Sequence, residues 1–164
     1  GIHDLRDVME RSSSQVEVKS SVPDPPRIVV VNKGASSVEG ESIEQDAYMK
    51  AFGLFSTNNY SGAIQAFQSF ITSYPRSEYA GNAQYWIGEC YYTQRDYSKA
   101  LKAFNMVIDN YPKGNKVPDA MLKAGYSLIS MNQHDKAKPA LEALVETYPK
   151  TPAAMKARER LIRY

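Results

Sequence analysis

Cysteine occurs once in these 164 residues, at Cys90, and histidine twice, at His3 and His134. A single thiol excludes an internal disulfide and a zinc site built on several cysteines, and two distant histidines offer no paired metal ligands. Long apolar runs are missing too. The longest spans residues 28–31, far short of the roughly 20 residues that cross a bilayer, so no membrane span is expected. Neither sign of charge dominates, with 20 Lys+Arg against 18 Asp+Glu and a formal net charge of +2. The charge is read as scattered without a Lys/Arg stripe, which leaves no electrostatic case for nucleic acid. Aromatic residues are absent from residues 1–43, whereas all 12 Tyr, all 5 Phe and the single Trp lie from Tyr48 onward. That first stretch holds five basic and seven acidic residues and is rich in Ser, Pro and Val. It cannot bury enough apolar surface to offset the entropy of ordering it, and reads as a tail or linker. Starting with Gly rather than Met, the chain is expected to be a processed or shortened form, and the lack of a leader says nothing about location.

What is present is a repeat. Tyr-Pro recurs at Tyr74-Pro75, Tyr111-Pro112 and Tyr148-Pro149, a period of 37 residues. Three further sets keep this beat: Ala63, Ala100 and Ala137; Phe67, Phe104 and Leu141; Phe70, Val107 and Leu144. A fourth is small: Ala51, Gly88 and Gly125. Small residues let two helices approach, the bulky residue one turn after Ala fills the space between them, and Pro stops the second helix. This is the tetratricopeptide (TPR) pattern. It predicts an all-α, right-handed TPR-type solenoid of three helix pairs and a C-terminal capping helix, preceded by a largely irregular N-terminal tail.

The expected domains are a tail at 1–43 and a TPR domain at 44–164, with repeats of about 44–80, 81–117 and 118–151 and a cap at 152–163. Helices are expected at about 43–56, 62–73, 78–93, 99–110, 118–131, 136–147 and 152–163. Ser61, Ser98 and Asp135 stand ahead of the second helices as N-cap candidates, Ser42 with Gln45 has capping-box spacing, and Ser77 and Thr151 can cap the helices after the Tyr-Pro stops. Pro152 suits a first turn, while Pro139 should distort the start of the sixth helix. The period exceeds the usual TPR length of roughly 34 by about three residues, which are expected to lengthen the next first helix at Ser77, Glu78, Tyr79 and Ala80. In the third repeat Lys113, Gly114, Asn115 and Lys116 read as an open turn.

Catalytic chemistry has little to work with. His134 stands where the other repeats have Tyr60 and Tyr97, which marks a surface or packing residue rather than a base. Cys90 has no basic neighbour to lower its pKa and reads as a structural thiol. No Gly-rich phosphate loop, carboxylate dyad or metal motif is apparent, so no enzyme, cofactor or metal is expected. The first helix of each pair instead carries a stripe at i, i+4 and i+7: Tyr48, Phe52 and Phe55; Tyr85, Glu89 and Tyr92; Leu122, Tyr126 and Ile129. First helices line the concave side of such a solenoid, so these nine residues are the expected partner-binding groove. The competing reading is that neighbouring first helices bury the rings in each other.

The run Tyr85, Trp86, Ile87, Gly88, Glu89, Cys90, Tyr91, Tyr92, the segment Tyr74, Pro75, Arg76, Ser77, and the segment from Lys116 and Val117 through Pro118, Asp119, Ala120, Met121, Leu122 and Lys123 carry a resemblance. Residues 44–164 resemble the C-terminal TPR domain of the Tol-Pal-associated periplasmic cell-division coordinator family, CpoB (YbgF). The resemblance implies a non-catalytic protein-protein interaction scaffold of the bacterial cell envelope, located in the periplasm. It implies TolA as partner, with a peptidoglycan synthase as a further one, and a role in coordinating peptidoglycan synthesis with outer-membrane constriction during cell division. Tyr-Pro repeats also occur in TPR lipoproteins of the outer-membrane assembly machinery, and a TPR component of such a complex, or a periplasmic ligand-binding receptor, is the alternative. Family members carry an oligomerising N-terminal coiled coil. Ile2, Leu5 and Met9 have the spacing of its end, but two turns cannot carry oligomerisation onto this chain. The extended, apolar residues 22–31 are expected to dock on the aromatic groove, in the same molecule or a neighbour.

Overall fold

The computed structural model describes residues 36–164, with side chains from Ile43 onward; the tail readings, including the docking of residues 22–31, lie outside the described residues. Among the described residues there are seven helices and no strand: α1 (Ser36–Ser56), α2 (Tyr60–Ser73), α3 (Ala80–Thr93), α4 (Tyr97–Asn110), α5 (Val117–Ser130), α6 (His134–Thr147) and α7 (Pro152–Leu161). They stack as a right-handed TPR-type solenoid, each packing on its sequence neighbours, with further contacts of α1 on α3 and α5 on α7. No helix among them is long and apolar enough to cross a membrane.

Small residues permit close approach here, and the distances show how strictly. A Cβ on Gly88 would stand 2.5 Å from Phe104 Cε1, and one on Gly125 2.5 Å from Leu141 Cδ2. Each glycine therefore seats the bulky residue of its own second helix. Gly88→Leu is expected to cost about 1–3 kcal/mol through overpacking, read as a lower denaturant midpoint.

The second helices stop as Pro demands. Tyr74, Tyr111 and Tyr148 leave helical geometry with φ of −131°, −130° and −127°, the extended backbone preferred before proline. Their amides still bond to Phe70, Val107 and Leu144, members of one repeat set. The three extra residues do not extend the next first helix, contrary to expectation. They form a connector of two successive turns, in which Ser77 N–H donates to Tyr74 O and Ala80 N–H to Ser77 O, both at 3.0 Å. One period later Gly114 N–H donates to Tyr111 O (2.9 Å) and Val117 N–H to Gly114 O (3.4 Å), so the third repeat begins with the same pair of turns as the second.

The helix starts need correction by two residues. Asn59 and Asp96, not Ser61 and Ser98, cap α2 and α4, with side-chain oxygens accepting from Gly62 N–H (3.0 Å) and Lys99 N–H (3.4 Å). Gln133 takes that place in α6 without a side-chain bond, and Asp135 lies in the first turn instead. The cause is the preceding turn, where Asn58, Arg95 and Asn132 adopt positive φ of 67°, 66° and 65°. The next amide in each case reaches back to Leu54, Tyr91 or Leu128 O, closing the first helix in a Schellman motif and leaving the following residue to begin the second. Arg95 is the least suited of the three to left-handed backbone, so Arg95→Gly should stabilise the fold by about 0.5–1 kcal/mol in chemical denaturation.

Helix α1 begins at Ser36, placing Ser42 and Gln45 inside it rather than at its cap. Gly40 is the least helix-favouring residue in that stretch, and it is too weak a break to delay the start. Thr151 does cap α7, accepting from Ala154 N–H at 3.1 Å, with Pro152 in the first turn. Ser77 Oγ accepts from Tyr79 N–H at 3.0 Å, holding the connector rather than the helix itself. Helix α6 runs on through Pro139, and the irregularity of its first turn is Gln133 O accepting from both Lys136 and Ala137.

Candidate partner-binding face

The stripe on the first helices is only partly available at the surface. Tyr48, Phe52, Phe55, Tyr85, Glu89, Tyr92 and Leu122 are buried, and Tyr126 and Ile129 are half-buried. An exposed aromatic surface was the expectation, and the contacts explain why these rings do not form one. Tyr48 packs edge-on to Phe67 and Phe70 of α2 and stacks on Tyr79 with centroids 5.0 Å apart. Phe52 and Phe55 both reach Trp86 of α3 at 5.0 Å, filling the joint between the first two repeats. Tyr85 lies against Phe104 and Trp86, and Tyr92 against Tyr97. The 3.6-residue periodicity marked an apolar face correctly, while neighbouring helices cover most of it.

Charge enters this face between the second and third repeats. Lys123 Nζ of α5 lies 3.4 Å from Glu89 Oε1 of α3, with both side chains almost fully enclosed, and sits 4.3 Å from the centre of the Tyr92 ring. Lys116 and Asp119 form a second buried pair at 3.8 Å, with the Lys116 ammonium 4.9 Å from the Tyr85 ring and 5.5 Å from that of Trp86. Buried cations held by a carboxylate and a ring are costly to desolvate and geometrically demanding. They fix the register of α5 on α3.

Beyond this joint the face opens. A cavity of about 290 Å³ is lined by Tyr92 of α3, by Tyr126, Ile129 and Ser130 of α5, and by Lys156, Glu159 and Arg160 in α7 with Arg163 just past its end. Three of the nine anticipated residues therefore meet at one opening. The basic residues were not anticipated as a site, because a solenoid's capping helix requires a polar outer side and Lys156, Arg160 and Arg163 suit it in sequence. Lys156, Arg160 and Arg163 are spaced i, i+4 and i+7 and share a face. The reading of charge without a stripe is thus corrected locally.

The remaining reactive groups are occupied structurally. Cys90 is fully buried, and burial, reinforced by the Glu89 carboxylate, pushes its thiol well above the ordinary range. His134 is exposed, with Nδ1 2.9 Å from the Tyr164 hydroxyl and Nε2 3.1 Å from Asn132 Oδ1. Among the described residues no group of three or more His, Cys, Asp or Glu side chains could hold a metal.

Comparison with known proteins agrees with this architecture. Over 56 residues the chain is 45% identical to proteins of Pseudomonas putida named cell division coordinator CpoB, covering 34% of this chain and 21% of theirs. The chain thus aligns with about a fifth of the length of these relatives. The Yersinia enterocolitica type III secretion translocator chaperone SycD superposes with a TM-score of 0.64 at 16% identity, covering 81% of this chain and all of that one. A chain of the CopN-Scc3 complex superposes at 0.61 and 17% identity, covering 91% of this chain and 84% of the other. At such identities these two structures share the fold alone. Residues 41–164, nearly all that the structure describes, match the profile of YfiO, outer membrane lipoprotein, and the chain belongs to that family.

Proposed function

We propose that this chain is a periplasmic scaffold that binds envelope proteins through the concave face of its first helices and serves cell division. The observation that carries the reading is the 56-residue likeness to the cell division coordinator at 45% identity. By that likeness the partners are TolA and a peptidoglycan synthase, and the role is to couple peptidoglycan synthesis to outer-membrane constriction. Tyr92, Tyr126 and Ile129 make the contact at the open cavity. Tyr48, Phe52, Phe55, Tyr85, Glu89 and Leu122 shape the face from beneath.

Calorimetric titration of the full chain with purified TolA segments tests this. Binding is expected, and Tyr126→Ala should weaken it roughly tenfold while leaving the melting temperature within a few degrees, since the ring is only half-buried. No heat with any TolA segment would refute the partner. The family profile favours a second reading, a TPR component of an outer-membrane assembly complex. Crosslinking from Ile129 in cells separates the two, because one captures Tol-Pal proteins and the other outer-membrane assembly subunits.

A further inference from the structure

We infer that the cavity between α3, α5 and α7 receives an acidic stretch of a partner polypeptide, its carboxylates on Lys156, Arg160 and Arg163 and an apolar side chain against Tyr92, Tyr126 and Ile129. This rests on the proposed use of the concave face and narrows what that face accepts. Three cations and one carboxylate, Glu159, line the opening, so its walls carry a local excess of positive charge.

A capping helix needs a polar outer surface, and cations near its C-terminus suit the helix dipole, so the count of basic residues alone would mean little. Their direction is the informative feature. Helix α7 buries Ala153, Ala154 and Ala157. Arg158 turns back to donate to Pro149 O at 2.8 Å, serving the connector. Lys156, Arg160 and Arg163 instead border a cavity whose far wall is Tyr92, two first helices away. The Arg160 guanidinium stacks 4.8 Å from the Tyr164 ring, which steadies its planar fork for a carboxylate. An opening of about 290 Å³ that Tyr92, Tyr126 and Ile129 line together with the charged residues fits a few side chains of a peptide.

The probe is a short fluorescein-labelled peptide in which glutamate pairs alternate with leucines, compared with a twin carrying glutamine for glutamate, by anisotropy on the full chain. The glutamate peptide should bind roughly tenfold tighter than its twin and weaken as salt rises. Lys156→Glu with Arg163→Glu should abolish the preference, and a lysine-leucine peptide should then bind the double variant better than the unaltered chain. That reversal cannot come from misfolding. Equal binding of glutamate and glutamine peptides, or an unchanged preference in the double variant, overturns the inference. If the glutamine twin binds as tightly and loses affinity in Tyr126→Ala, the acidic preference fails while the concave site stands. Capture of an envelope partner that ignores Tyr126→Ala removes the site itself, and the inference with it.

Discussion

Lys123→Met should lower the melting temperature by roughly 10 °C, and adding Glu89→Leu should restore most of the loss. The two side chains are 3% and 2% exposed and 3.4 Å apart, so removing the ammonium leaves a carboxylate in a poorly solvated joint. Breaking such a pair costs about 3–5 kcal/mol, and in a domain of this size each kcal/mol moves the midpoint by about 2–4 °C. Apolar residues of similar volume at both positions remove the unbalanced charge together with the pair. Thermal melts of the single and double variants, followed by circular dichroism, decide the matter. A single variant within about 2 °C of the unaltered chain would mean that both charges reach water in solution.

Trp86→Ala should destabilise the chain by about 3–5 kcal/mol and also change how it unfolds. The indole is fully enclosed, meeting Phe52 edge-on and Phe55 at a tilt, each at 5.0 Å, and Tyr85 at 5.2 Å. It ties α1 to α3 in the joint between the first repeat and the rest, beside the packing of α2 on α3. A solenoid draws its cooperativity from such nearest-neighbour interfaces, so truncation uncouples α1 and α2 from the helices that follow. Urea titration followed by circular dichroism should replace one transition with two, and amide exchange should show α1 and α2 opening first. A single transition shifted to lower urea would mean that the remaining packing of α1 and α2 on α3 suffices to hold the joint.

The helical register was legible because its signals are local. Pro75, Pro112 and Pro149 act on the residue directly before them, and Gly88 and Gly125 declare a close approach by having no side chain at all. The caps were misplaced by two residues because their position depends on left-handed residues at 58, 95 and 132, and Arg95 does not advertise that conformation. The three extra residues were equally ambiguous, since Ser77, Glu78, Tyr79 and Ala80 suit a helix as readily as a pair of turns. For the binding face, periodicity shows that Phe52 and Phe55 share an apolar side with Tyr48 but not that Trp86 lies across from them. The basic rim was hidden for a related reason. Lys156, Arg160 and Arg163 read as solvent-facing until the lie of α7 over α5 turns them toward Tyr92.

The two inter-repeat joints are built from different materials, aromatic rings between repeats one and two and enclosed ions between repeats two and three. A solenoid with identical joints can gain or lose a unit and keep its fit. Here a duplicated second unit would bring Trp86 against Glu89 and Tyr92 of the preceding copy, where Phe52 and Phe55 now stand, and an indole would meet a carboxylate. Each of these three units is therefore keyed to its own neighbours, which fixes their order along the surface.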